Sequence, residues 1–392
     1  MQAVKIQVSI NFAVSDKFSN AIKQSVKSVS GNKYEFTTPF FLPTLYRKSF
    51  EDLTNAERDD IQILEGLQRT LASWLDNQFP TVLKSGSSTK IARHVVTYVT
   101  FCGPHVALDS ALFLSIAKPM AIGLLLDFMA DDKELFYGLD TTLLRHGVET
   151  LHNSINELRT LDVALIEEAI QLKLFKNKEI QSNKYAAMLL GSAFEVGLDT
   201  ETIFGSRENA LDQRWFFEKL FKDVHVALLL ADGQMDDYSL STQRHFRAID
   251  GSILLMVEII AITKTATLTP KLTGDPVFAR FRGVMDDISA AFNDILGLQK
   301  DIKNGESNGI VMFKVKRGTP LKRALDEEVA ILGDNIQDYE KLKDMLLCNF
   351  PEEENLPLYF EIADSVLFGL VQVFIESPIY GMKGQIRIDT GN

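Results

Sequence analysis

The sequence predicts an all-α protein, a bundle of helices carried by one large domain, on three observations. Apolar residues recur at helical spacing from about residue 50 onward. No series of short alternating strands with hairpin turns occurs, and neither a strand–helix alternation nor an internal repeat is present. The chain has 392 residues, of which 46% are hydrophobic, so it can bury a large core without disulfide or metal staples. About 150 residues per domain would divide this length into two or three. The helical pattern nevertheless runs through without a linker, which favours a single helical unit.

Taken in order, the first dozen residues alternate apolar and polar (Val4, Ile6, Val8, Ile10), a weak strand pattern at a terminus. Residues 30–45 are rich in turn formers and read as an irregular lead-in. Residues 50–79 have helical spacing behind a Ser49 cap, with Asp52 three residues on. Residues 84–90 (KSGSSTK) read as a loop, followed by helices at 91–101, 108–128, 139–156 and 161–175. The stretch 183–242 is less regular and contains a helical segment around Trp215. Helices resume at 242–264 and 276–303, then at 320–348 and 357–376. Ser377-Pro378 stops the last one, because proline cannot continue a helix.

Charge and composition exclude several function classes. Lys and Arg number 41 against 53 Asp and Glu, a formal net charge of −12, which opposes non-specific binding to nucleic acid or an anionic membrane. The two cysteines, Cys102 and Cys348, lack Cys-x-x-Cys spacing, so neither a disulfide framework nor a cysteine zinc site is expected. Carboxylates are the only plentiful metal ligands. The N-terminus lacks the features of a secretory signal, and the apolar stretches 111–126 and 252–268 are interrupted by charge. The expectation is a cytoplasmic protein without an integral membrane span, either a monomer or a homodimer.

Three segments carry chemistry. Asn293, Gly297 and Asp301 lie at i, i+4 and i+8, along one face of an otherwise apolar helix. An amide and a carboxylate in such surroundings are costly unless partnered, and a hard cation would partner them through oxygen. The same spacing also suits a solvated stripe on an ordinary amphipathic helix. Arg247 and Asp250, followed by Gly251, begin 46 residues before Asn293. By spacing alone they read as a plain i,i+3 ion pair opening an apolar helix. Asp127 and Asp131 close an apolar helix at i,i+4 spacing, as metal ligands or as part of a helix-ending charge cluster.

Together these segments resemble the class I terpene synthases. The second metal motif of that family reads Asn-Asp-x-x-Ser/Thr-x-x-x-Glu, with Lys before the last acid and a Gly-Glu-x-x-Asn stretch after it. Asn293, Asp294, Lys300, Gly305, Glu306 and Asn308 match it. Gly297 stands in place of the hydroxyl residue and Asp301 in place of Glu. The interval to Arg247 matches the family's diphosphate-sensing arginine, and Leu126–Glu134 stands where its aspartate-rich motif belongs, with Phe128 at the usual second Asp. The usual C-terminal Arg-Tyr pair is missing, and Tyr380 and Arg387 are the nearest candidates.

The resemblance implies a single-domain α-helical bundle over residues 46–392, with a central active-site cavity and residues 1–45 as lead-in. It implies a lyase that ionises farnesyl or geranylgeranyl diphosphate with Mg2+, three ions with Mn2+ as a substitute, and cyclises the cation. Asp127, Asp131, Asn293, Gly297 and Asp301 would mark the metal positions, and Asp294 counts among the acids awaiting metal. Arg247, Asp250 and Gly251 would be catalytic. Arg247, Lys300, Phe101, Phe128, Phe292 and Tyr380 would meet the substrate. The layout is similar to microbial-type cyclases and their animal relatives, such as those of octocorals. A catalytically degenerate isoprenoid-binding protein and a chain-elongating prenyltransferase are the alternatives.

Overall fold

The computed structural model describes residues 2–29, 33–47, 49, 58–109, 111–131, 135–156, 174–192, 195, 237–251, 253–266, 268–305 and 309–389, without the side chains of 58, 59, 126, 127, 130, 131, 152, 155 and 156. Asp52 of the expected Ser49–Asp52 cap, most of the helix expected at 161–175 and the Trp215 segment lie outside these residues. The chain is predominantly helical and separates into two compact units. One comprises 1–56, 100–105 and 233–392, the other 57–99 and 106–232.

In the first unit both ends of the chain meet in a three-stranded antiparallel sheet. Strand β1 (Gln2–Asn11) lies between β2 (Lys33–Leu42) and β3 (Ile386–Asp389), with α1 (Asn20–Lys27) connecting β1 to β2. The alternation of Val4, Ile6, Val8 and Ile10 is therefore a true strand signal, and all four are buried. Residues 33–42 correct the lead-in reading. Pro39 and paired threonines hide the strand, and Pro39 is tolerated because β2 is an edge.

Phe40 and Phe41 fasten this sheet to the helices behind it. These are α10 (Pro276–Leu296), α13 (Leu321–Asn349) and α14 (Leu356–Glu376). Phe40 meets Phe292 of α10 edge-on at 5.3 Å and Phe368 of α14 at 6.4 Å, and Phe41 stacks on Tyr339 of α13 at 5.6 Å. Behind them Lys343 is buried, its ammonium 2.8 Å from both oxygens of Asp364, which also accepts from the Tyr339 hydroxyl at 2.8 Å. The carboxylate of Asp364 and the surrounding rings of Phe41, Tyr339 and Phe360 compensate an ammonium charge that burial would otherwise penalise.

Helix α14 is the one described helix long and apolar enough to cross a membrane, yet 83% of its apolar window is buried within the fold, which accounts for its hydropathy. The segment 100–105 crosses it at Gly369. A Cβ there would lie 2.6 Å from the Cys102 Cα and closer still to the Phe101 carbonyl. Backbone meets backbone, so nothing can yield. Gly369→Ala should therefore cost about 2–3 kcal/mol, read as a lowered midpoint in thermal or urea unfolding. An unchanged midpoint would show that α14 can slide.

Beside that crossing His105 Nε2 lies 3.2 Å from the Ser365 hydroxyl, which gives its own proton to the Leu45 carbonyl at 2.8 Å. Burial holds the imidazole below the usual 6.5, Lys264 and Arg47 acting in the same direction and Glu361 against. The folded state thus takes up the proton less readily than the unfolded chain, so this stability is present above about pH 6.5 and lost as pH falls. His105→Gln should flatten the decline in unfolding midpoint between about pH 7 and pH 5 relative to wild type.

The second unit holds α2 (Arg58–Gln78), most of α3 (Ser87–Cys102), α4 (Ala111–Asp131), α5 (Thr141–Asn156) and α6 (Lys178–Ser182). Helix α4 is apolar on all sides, as a buried helix should be. Lys118 within it is partnered rather than stranded. Its ammonium sits 5.6 Å over the Trp74 ring and 3.7 Å from Glu195, which also accepts from Trp74 Nε1 at 2.9 Å.

Candidate active site

The helix expected at 242–264 is broken. Helix α7 (Leu240–Asp250), capped by the Ser239 hydroxyl, ends at Gly251, and α8 (Leu254–Thr263) begins three residues later. The break puts Arg247 in the last turn of α7, with Asp250 and Gly251 at its end. Close packing on α10 explains the glycine. A Cβ on Gly251 would lie 3.2 Å from the Ala290 Cα. The Gly251 carbonyl points at α10 and accepts from the Ser289 hydroxyl at 2.7 Å, leaving its second lone pair uncommitted by that bond.

Arg247 is 8% exposed and Asp294 is 2% exposed. Arg247 Nε donates to Asp294 Oδ1 at 2.7 Å, and Nη1 to Asp250. Asp294 Oδ2 accepts from the Ile310 backbone N–H at 2.7 Å. Burial pushes the Asp294 carboxyl above its ordinary range, and Arg247 and the Ile310 N–H draw it back down. Asp294 thus faces protein donors through both oxygens, which corrects its reading as an acid awaiting metal.

Ile310 opens α12 (Ile310–Lys316), where Lys314 binds Glu327 at 2.7 Å and Glu328 at 2.8 Å. Glu328, on α13, also takes Arg244 of α7. Residues of α7, α10, α12 and α13 line a cavity of about 250 Å3 that includes Arg244, Arg247, Asp287, Asp294 and Glu328. The motif reading missed Arg244, Lys314 and Glu328. Glu328 had a signal, because Leu321, Leu325, Leu332 and Ile336 place it on the buried stripe of α13.

The acidic motif helix continues from α10 through Gly297 into α11 (Leu298–Asn304), the amide of Gly297 donating to the Asn293 carbonyl at 2.8 Å. Asn293, Gly297 and Asp301 share a face as the spacing predicts. Lys300 Nζ is 3.7 Å from Asp301 Oδ1, both side chains partly buried. An amide and a carboxylate oxygen form a hard donor set that fits Mg2+, and Gly297 between them adds no side-chain ligand. Among the described residues no three His, Cys, Asp or Glu side chains form a metal cluster. Asp127 and Asp131 lie in the last turns of α4, their side chains outside the description, as are Glu306 and Asn308.

The remaining aromatic candidates are distributed. Phe292 is fully buried against Phe40, Phe101 is buried at the end of α3, and Phe128 of α4 sits 6.0 Å from the His94 ring. Tyr380 lies against Phe374 at 4.2 Å, in the turn after α14, and the neighbouring Gly381 comes within reach of Gln299. Arg387 is exposed on β3.

No family model matches the chain. Among curated proteins it is 20% identical over 146 residues to (+)-eremophilene synthase of Sorangium cellulosum strain So ce56. That match spans 37% of this chain and 44% of the relative, less than half its length. Among solved structures the chain is similar to α-eudesmol synthase, with a TM-score of 0.60 at 14% identity over 85% of this chain and 97% of that one. It is also similar to 2-methylisoborneol synthase from Streptomyces coelicolor A3(2), solved with Mg2+ and geranyl-S-thiolodiphosphate. There the TM-score is 0.55 at 13% identity, over 88% of this chain and 95% of that one. The fold is the helical fold of the class I terpene cyclases.

Restoring the motif's hydroxyl at position 297 should not help this chain. A Cβ there would stand 2.5 Å from the Asn293 carbonyl and 3.2 Å from its Oδ1. Gly297→Ser and Gly297→Ala should each lower the unfolding midpoint by an amount worth about 1–3 kcal/mol. A serine variant as stable as the parent would show that the α10–α11 junction has room for a ligand there.

Proposed function

We propose that this chain, built on the class I terpene cyclase fold, ionises a linear isoprenyl diphosphate and cyclises the cation to a cyclic sesquiterpene or diterpene. Farnesyl and geranylgeranyl diphosphate are the candidate substrates. One observation carries the reading. A nearly buried arginine, Arg247, is held by two carboxylates at a helix break packed on the helix that bears Asn293, Gly297 and Asp301.

Loss of a diphosphate from an allylic carbon breaks a carbon–oxygen bond and leaves a carbocation and a polyanion. Arg247 suits the polyanion, because its planar guanidinium stays charged and donates to two phosphate oxygens at once. Lys300 would add a second cation. Mg2+ held by Asn293 and Asp301 would neutralise charge growing on the leaving group. Three ions follow the pattern of the fold family, with Mn2+ as a substitute. Asp250 orients Arg247, and the Gly251 carbonyl dipole would face the ionising carbon. Apolar walls, with Phe101, Phe128, Phe292 and Tyr380 as nominated neighbours, would keep water from quenching the cation.

Three departures favour a second reading, a helical isoprenoid-binding protein without turnover. They are Phe128 in place of the usual second Asp, the glycine at position 297 and the absence of an Arg-Tyr pair. Incubation of the purified chain with each substrate and Mg2+, followed by gas chromatography, distinguishes the two. Cyclised hydrocarbon or alcohol above an EDTA control is expected. Arg247→Lys, which keeps the buried charge, and Asn293→Ala should each lower turnover about 100-fold or more. No product from either substrate favours the binding protein, and near wild-type turnover in both variants would move the site elsewhere.

A further inference from the structure

The carboxylate of Asp294 joins two parts of the fold that no local motif connects. Oδ1 holds Arg247 of α7, and Oδ2 accepts from the first amide of α12, each at 2.7 Å. Helix α12 has no side-chain cap from its own N-cap residue, which is Gly309, so Asp294 supplies the acceptor from another helix. The glycine is required for this. A Cβ at position 309 would lie 2.8 Å from Asp294 Oδ1. The connection then closes on itself, since Lys314 of α12 binds Glu328 of α13, which binds Arg244 one turn before Arg247. Two arginines one turn apart on α7 are thus referred to the same short helix by separate routes.

We propose that Asp294 is a positioning residue for the diphosphate-gripping arginine, holding Arg247 poised and passing its movement toward a diphosphate on to α12. This rests on the reading of Arg247 given above. The two oxygens ask different things of the side chain. The Arg247 end needs a negative charge, because the guanidinium is itself nearly buried. The Ile310 end needs only an acceptor. When Arg247 turns to a diphosphate, Asp294 loses part of its compensation and is left with the amide of α12 as its other donor.

Asp294→Asn separates the two demands. Its carbonyl oxygen can still accept from the Ile310 N–H, while the Asp294 charge that restrains Arg247 alongside Asp250 is gone. With one ion pair fewer to break, only that to Asp250 remaining, the variant should bind inorganic diphosphate with Mg2+ as tightly as wild type or tighter by calorimetry. Its kcat should fall about 30-fold, the size expected when a buried charge pair loses one partner. Gly309→Ala, which keeps the charge but crowds Oδ1, should show the same separation of kcat from diphosphate affinity. If affinity and kcat fall together in both variants, or if neither changes, Asp294 is only structural and the inference is overturned. A wild-type chain that binds no diphosphate and turns over no substrate overturns the functional reading, and this inference with it.

Discussion

A negative charge fixed where water cannot reach it sets the terms for its whole neighbourhood. Asp294 is 2% exposed, and leaving such a carboxylate unpaired would cost several kcal/mol. The structure meets that demand with one guanidinium and one backbone amide from opposite directions. Each solution constrains something further. Arg247 must sit in the last turn of α7, α12 must begin at Ile310, and residue 309 must lack a side chain. Gly251, which lets α7 end against Ala290, belongs to the same set. What looks like a conserved-style sequence motif is, physically, a chain of compensations that starts from one buried acid.

Around this polar centre the fold relies on apolar contact of ordinary kinds. Phe40, Phe292 and Phe368 bring β2, α10 and α14 together, and Phe281 links α10 to Tyr339 and Phe360 at 5.0 Å each. Of these rings, Tyr339 and Phe360, with Phe41, lie against a further buried ion pair, Lys343 with Asp364. Aromatic faces tolerate a neighbouring cation. The back wall of α10 is thus rigid on the side away from Arg247, and a fixed wall is what a precisely aimed guanidinium requires.

Much of this was legible in the sequence because helical spacing and motif spacing survive without coordinates. The continuous run of α10 and α11, and the long helices α13 and α14, fall within a few residues of their expected ends, since Asp275-Pro276, Pro320 and Ser377-Pro378 punctuate them. Arg247, Asp250 and Gly251 were found from their interval to Asn293. The strand at 33–42 was not, because Pro39 and Thr37-Thr38 resemble a loop when the partner strand is unknown. The role of Asp294 was misjudged for a similar reason. Its partners lie 47 and 16 residues away, and no local pattern says which way a carboxylate turns. The break at Gly251 was hidden within an apolar run that reads as one continuous helix.

The sheet has a consequence for the order of folding. Lys5 to Val8 pair with Ile386 to Asp389, segments far apart in the sequence with most of the helices between them. Contacts between such distant segments carry a large loop-closure cost and form slowly. Pairing of β1 with β2 bridges a much shorter stretch of chain, so it can precede the closing of β3. The closing of β3 onto β1 is therefore suited to be a late event in folding.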